Sequence, residues 1–275
     1  MRSRLALLIV LAACGPASRN GTDPDARGAV DTGSTSDTGA TPSSSRVYAH
    51  SGSTLYKIDT TTYAAVAVGP MTALGTQSLT DLAIDKNDQM VGITLNKLYA
   101  IDQQTAAVTL IKDLSQSASG FTSLSYIPVD LNDSNSADML VSANDQGDVY
   151  KIDPVSGTAA KLGSFGTTAA GKIVSSGDLI GVRGLGIYCT VNVGTAANDY
   201  LAKIDPVTYK ATPAPSDTGF KQIFGLAFWA GTIYGFAKDG SILSIDPNTG
   251  KGTKLGGGSV QWFGAGVTTD APILQ

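Results

Sequence analysis

The chain contains no glutamate: all 23 acidic residues among its 275 positions are aspartate. Glutamate is a good helix former and aspartate a turn and cap residue, so the choice points to strands joined by tight turns. There is a single histidine, His50, which removes most designs that need an imidazole base or several imidazole metal ligands. Its place at the end of a strand-like run predicts a surface or hydrogen-bonded role. Charge is scarce too, at 15% of residues with a net charge of -4. No basic field exists to attract phosphate backbones, so nucleic acid is not an expected partner.

The 2 cysteines belong to different settings. Cys14 follows Met1-Arg2-Ser3-Arg4, the apolar run Leu5 to Leu11, and Ala12-Ala13. A charged start, a short apolar stretch and small residues at the cut are the parts of a secretory signal peptide, and the run is too short to span a bilayer. The Leu11-Ala12-Ala13-Cys14 end resembles the lipobox of bacterial lipoproteins. That resemblance implies cleavage after residue 13, acylation of Cys14, and anchoring by several acyl chains, with palmitate among them. Gly15, rather than Asp, after the cysteine implies an outer-membrane lipoprotein, on its periplasmic or surface side. An ordinary signal peptide with a chance cysteine is the alternative. Cys189, in Ile187-Tyr188-Cys189-Thr190-Val191, is expected to be a buried strand residue without a partner.

Residues 14–45 read as the lipidated cysteine and a disordered tether. Of positions 15–45, 23 are Gly, Pro, Ser, Thr or Asp and none is aromatic, so ordering entropy is not offset by buried apolar surface. As a flexible coil it would reach about 30 Å. Two Asp-Thr-Gly triplets at 31–33 and 37–39 match the aspartic-protease active-site triplet, but in a polar linker nothing would desolvate them.

From residue 46 to 275 a repeat dominates. Leu55-Tyr56-Lys57-Ile58-Asp59 recurs as Leu98-Tyr99-Ala100-Ile101-Asp102, Val149-Tyr150-Lys151-Ile152-Asp153, Leu201-Ala202-Lys203-Ile204-Asp205 and Ile242-Leu243-Ser244-Ile245-Asp246. The aspartates lie 43, 51, 52 and 41 residues apart, the length of a four-stranded propeller blade. In the clearest unit, strands are predicted at 79–85, 89–94, 97–102 and 107–112 from alternation and turn residues. The stretches 181–186 and 193–199 look like extra loop. The first repeat lacks an inner strand, and a lone candidate remains at 262–269. If that C-terminal strand joins the N-terminal blade, the ring closes with no open edge. The expected fold is therefore an all-β five-bladed β-propeller. Six blades, with one unseen in 160–200, is the alternative.

After each Ile-Asp the turn is explained without function. Asp accepts the N–H two residues on, and Gly157 and Gly250 supply a left-handed position. Tyr63, Ala106 and Tyr209 stand at that position in the other copies, so those hairpins are expected to be looser. The repeat style resembles that of quinoprotein-like and gluconolactonase-like propellers. Ser175-Ser176-Gly177-Asp178, Phe224-Gly225-Leu226-Ala227-Phe228-Trp229 and Trp262-Phe263-Gly264-Ala265-Gly266-Val267-Thr268-Thr269 resemble more closely an uncharacterised bacterial lipoprotein propeller family, over nearly all of 46–272. That group has no assigned activity. Its enzymatic cousins fit poorly: quinone-dependent dehydrogenases resemble longer rings with calcium, and lactonase-type propellers use a Glu ligand that this chain lacks.

No catalytic motif is evident. A paired-carboxylate hydrolase would have to use aspartates such as Asp85, Asp130, Asp178 and Asp270. Asp130, Asn132, Ser134 and Asp138 have calcium-loop spacing, but Asn135 and Val141 stand where that loop needs Gly and Glu. Calcium is thus the one cofactor left open, with Asp130, Asn132 and Asp138 as its ligands. Gly166 to Lys172 matches the start of a phosphate-binding loop but lacks its Ser or Thr and its helix. Trp229, Trp262, Phe263 and Tyr126, with Phe224, offer stacking platforms to a ligand, set against a role in blade packing. The expected function is a monomeric, lipid-anchored cell-envelope binding or scaffold module for protein or glycan. The alternative is an envelope hydrolase or lactonase-like enzyme using aspartates, with or without calcium.

Overall fold

A computed structural model describes residues 45–274; the signal peptide, Cys14 and all but the last residue of the tether lie outside the described residues. Those described form an all-β five-bladed propeller of 21 strands in five sheets. The first sheet holds Val47–His50 (β1), Thr54–Ile58 (β2) and Ala65–Pro70 (β3). Asp81–Ile84 (β4), Met90–Ile93 (β5), Lys97–Ile101 (β6) and Val108–Asp113 (β7) make the second, close to the expected bounds. The third is Ser125–Pro128 (β8), Asp138–Ala143 (β9), Asp148–Asp153 (β10) and Thr158–Ser164 (β11). The fourth has five strands: Thr167–Thr168 (β12), Gly171–Val182 (β13), Gly186–Val193 (β14), Tyr200–Ile204 (β15) and Ala211–Pro213 (β16). Ile223–Trp229 (β17), Thr232–Ala237 (β18), Ser241–Ile245 (β19) and Gly252–Gly257 (β20) form the fifth.

Gly264–Val267 (β21) completes the first sheet as its innermost strand. It pairs antiparallel with β1, from Val47 opposite Val267 to His50 opposite Gly264. The ring is thereby shut by both ends of the folded region. Around the axis the inner strands run β21, β4, β8, β13, β17 and back to β21, each touching the next.

The inner strands are buried on both faces and the outer ones are largely exposed, as in β4 and β21 against β3 and β20. The repeat isoleucines Ile58, Ile101, Ile152, Ile204 and Ile245 are all buried, each contributing about 1.5–3 kcal/mol. Between the first and fifth blades, Trp262 packs edge-on against Tyr56 at 5.4 Å and Phe236 at 5.7 Å.

Two expectations need correction. The segment 160–200 holds no sixth blade: β13 runs on to Val182 and turns over residues 183–185 into β14, and a bulge between Ser175 and Leu179 masks its alternation. Nor are the non-glycine turns looser. Tyr63, Ala106 and Tyr209 all adopt φ 59°, and their N–H groups bond the Asp59, Asp102 and Asp205 carbonyls at 2.8–2.9 Å, as Gly157 and Gly250 do at Asp153 and Asp246. Each aspartate also accepts N–H groups from its own turn, and those bonds help to hold the left-handed residue in place.

Candidate functional site

Superposing the starts of the inner strands by their pairing gives Thr80-Asp81-Leu82, Thr122-Ser123-Leu124, Gly177-Asp178-Leu179, Phe224-Gly225-Leu226 and Phe263-Gly264-Ala265. The first members rim one mouth of the axis. With Ser176, raised to the rim by the β13 bulge, they line a cavity of about 150 Å³. The Phe224 and Phe263 rings lie 6.3 Å apart at 41°. Lys238 Nζ stands over both, 5.9 and 5.8 Å from the centroids. Phe263 is fixed by its N–H donating to the His50 carbonyl at 2.9 Å. The mouth thus offers two aromatic rings with the Lys238 ammonium over them, the Ser176 hydroxyl, and the hydroxyl oxygens of Thr80 and Thr122, whose protons go to the Ile93 and Ala143 carbonyls.

A second cavity of about 340 Å³ shares Ser176 and Phe224 with the first and extends past Asn192, Asp199, Lys221 and Gln222. Asp199 is 2% exposed. It lines the cavity while accepting from Asn192 Nδ2 at 2.8 Å and from the Ile223 N–H at 2.7 Å, and so orients the Asn192 amide.

Directly beneath the rim the axis is closed by two aspartates. Asp81 accepts the Leu82 and Leu124 N–H groups at 2.8 and 2.7 Å. Asp178 accepts those of Leu179 and Leu226 at 2.5 and 2.6 Å and also takes that of Ala265. Between them the two side chains collect the N–H from the equivalent position of all five blades. Both are fully buried and hydrogen-bonded to each other. Burial first, and for Asp81 the Asp178 charge second, holds the carboxyls well above the ordinary range; one proton shared by the pair is the physical consequence. Glycines at 225 and 264 give the room: a Cβ on Gly264 would lie 2.5 Å from Asp81 Oδ1 and collide with His50 Nε2.

His50 is buried, not at the surface. Its Nδ1 faces the Ser51 carbonyl at 2.8 Å, while Nε2 is the one buried side-chain polar atom without a partner among the described residues. Desolvation lowers its pKa to about 4, so the ring is neutral at physiological pH.

The aromatic candidates do not converge. Phe263 joins Phe224 at the mouth, but Trp262 is 1% exposed, donating Nε1–H to the Gly240 carbonyl at 3.3 Å, and is a packing residue. Trp229 is half-buried at the far end of β17, against the core. Tyr126 also lies toward the opposite face, where burial and then the Asp85 and Asp138 charges push its hydroxyl up to about 12. Asp138 is bound by Arg183, Thr269 and the Lys86 N–H, at 2.7, 2.7 and 2.8 Å. Asp130 Oδ1 accepts the Asn132 N–H at 2.9 Å. Among the described residues no group of three or more His, Cys or Asp side chains is placed to hold a metal. Asp85 closes its own turn and Asp270 pairs with Arg183 at 2.8 Å, so neither joins Asp178. Cys189 is fully buried and burial pushes its thiol up. Asp81, Ser176 and Lys238 escaped sequence reading; the Asp-Leu pairs at 81–82 and 178–179, at matching strand starts, were the signal available.

No family model matches the chain, and no curated protein matches it in sequence. Solved structures do resemble it. A symmetrical protein described in terms of de novo evolutionary emergence is 17% identical, with a TM-score of 0.51 over 83% of this chain and 99% of its own. A Bacteroides caccae protein of unknown function is 11% identical, with a TM-score of 0.44 over 80% and 97% of the two chains. One of unknown function from Bacteroides thetaiotaomicron is 16% identical, with a TM-score of 0.47 over 69% of this chain and 53% of its own. At these identities the likeness is one of fold.

Proposed function

We propose that the protein is a lipid-anchored cell-envelope binding module that takes a glycan ring in the mouth at the Phe224–Phe263 pair. The observation that carries this is the composition of that cavity: two tilted aromatic rings and hydroxyls from three blades, over a floor whose carboxyls are spent on backbone N–H groups. Aromatic faces take the apolar side of a sugar, and hydroxyls orient its edge. A glycan array probed with the whole chain carrying Cys14→Ser should give hits that Phe263→Ser abolishes. Hits indifferent to that change would place binding elsewhere.

The anchor is part of the proposal. Acylated Cys14 would hold the ring at the outer membrane, since two or more acyl chains make a stable anchor. Metabolic labelling with palmitate should mark the wild type and not Cys14→Ser; an unlabelled, soluble wild type would remove the anchor from this account.

One observation favours the hydrolase alternative: Asp81 and Asp178 are two carboxyls in contact with raised affinity for a proton. A substrate could reach them only by displacing the N–H groups they hold. Glycan or lactone hydrolysis by the wild type, lost in Asp178→Asn while binding persists, would support that reading over simple binding.

A further inference from the structure

We infer that the ligand of the mouth is an acidic oligosaccharide spanning both cavities, with one ring on Phe224 and Phe263 and a neighbouring carboxylate-bearing residue held by Lys221. The inference rests on the glycan reading of the mouth and adds to it the length and charge of the ligand. Length follows from the shared walls: Ser176 and Phe224 line both cavities, so the larger space continues the smaller one. Its polar lining, with Asn192 oriented by buried Asp199, suits hydroxyls better than an apolar chain.

Charge follows from the lysines. Lys221 lines the second cavity and Lys238 stands over the Phe pair of the first. Neither ammonium is in an ion pair with an aspartate among the described residues, and Asp199, the carboxylate that lines the second cavity with Lys221, has its oxygens on the Asn192 amide and the Ile223 N–H. Two ammonium groups against one lining carboxylate leave the mouth locally positive, on a chain with net charge -4, and such a field favours an anion.

The backbone between them is strained in a way that serves this placement. Gln222, a cavity residue, sits at φ 56° without being glycine. Its carbonyl accepts the Lys238 N–H at 2.9 Å. The strained residue thus ties the two lysine-bearing segments together, and such outliers persist where the surroundings impose them.

The test titrates the Cys14→Ser whole chain with galacturonate trimer, galactose trimer and galacturonate monomer, at low and high salt. Acid trimer should bind more tightly than neutral trimer, with a preference that salt weakens. Lys221→Gln should weaken acid-trimer binding about fivefold, as for one exposed ion pair, and leave neutral-trimer binding unchanged. Phe263→Ser should abolish both, with an unaltered unfolding midpoint showing that the ring is intact. Equal binding of acidic and neutral trimers, lost together in Phe263→Ser, overturns the acidic inference and keeps the glycan reading. Monomer binding as tight as trimer overturns the two-cavity span. Binding of none of the three overturns the inference, and an array that yields other, neutral glycans would still leave the glycan reading standing.

Discussion

Tyr63, in the turn before the outer strand of the first blade, rests against Gly256 in the outer strand of the fifth, where an added Cβ would lie 3.1 Å from the Tyr63 Cβ. The same contact recurs around the ring between each outer strand and the next blade's turn: Gly69 with Ala106, Lys112 with Gly157, Gly163 with Tyr209, and Ala214 with Gly250. Every pair contains a glycine. Left-handed Tyr63, Ala106 and Tyr209 are therefore tolerated because a glycine across the blade boundary leaves them space.

Filling that space should cost stability. A Cβ on Gly163 would come within 2.6 Å of the Thr208 carbonyl oxygen and 3.2 Å of the Tyr209 Cβ. Gly163→Ala is expected to destabilise by about 1–3 kcal/mol through overpacking. Gly258→Ala meets nothing within 4 Å and should stay within about 0.5 kcal/mol of wild type. Denaturant unfolding of the two variants checks the contrast, and equal effects would undo the pairing argument.

The carboxyl pair at the axis should matter more than any turn aspartate. Asp178→Ala strands the Leu179, Leu226 and Ala265 N–H groups in a dry interior, at about 3–5 kcal/mol in all. Asp205→Ala removes bonds from an exposed turn, where water replaces them, and should cost far less. Unfolding free energies that come out alike would show that the pair does not hold the blades together.

The architecture was legible because the repeated residues are the ones that packing and turn chemistry constrain: buried Ile58, Ile101, Ile152, Ile204 and Ile245, each followed by a turn-closing aspartate. Ring closure was legible because the first blade visibly lacked a strand. The mouth was not, since its rim takes Thr80, Thr122, Gly177, Phe224 and Phe263 at one equivalent position, and function there depends on residues that differ between repeats. Asp81 and His50 come close only through closure by β21, which no local pattern encodes. Trp262 was open to either a platform or a blade-packing role, and the ring buries it between two blades.

Acid should act on stability through three contributions, two that fall and one that rises. The His50 pKa is lowered from 6.5 to about 4 by burial. Its contribution is present above pH 6.5 and is lost as pH falls through 4, amounting to about 3 kcal/mol at 1.36 kcal/mol per unit. Asp59, Asp102, Asp153, Asp205 and Asp246 are held below the ordinary value chiefly by turn N–H groups or a hydroxyl. Their share is lost only below pH 3.8. The raised Asp81–Asp178 pair acts oppositely, its contribution being full below pH 3.8 and declining as pH rises through the folded-state value. His50→Asn, which keeps a donor for the Ser51 carbonyl, should remove the His50 share of the loss, so that between pH 6.5 and 4 its melting temperature falls less with acid than that of the wild type. An unchanged slope there would show that His50 does not set it.

Arg183 is the last residue whose removal separates structural accounts. At the face opposite the mouth it joins blade four to Asp138 of blade three at 2.7 Å and to Asp270 beyond β21 at 2.8 Å. It also donates to Thr269 Oγ1 at 2.7 Å and to the Ser136 carbonyl at 2.5 Å. Asp138 is 5% exposed and Asp270 41%, so the two ion pairs should differ sharply in weight. Arg183→Met leaves Asp138 charged and buried, at about 3–5 kcal/mol, while Asp270→Asn removes a screened pair worth under about 1 kcal/mol. If the cost of Arg183→Met is the orphaned charge, adding Asp138→Asn should recover most of it, because the amide removes the charge and keeps an acceptor oxygen for the Lys86 N–H and the Thr269 hydroxyl. A double variant as unstable as the single one would assign the loss instead to the Thr269 and Ser136 bonds that hold the chain end against the ring. The double-mutant cycle therefore tells a charge balance from a mechanical latch.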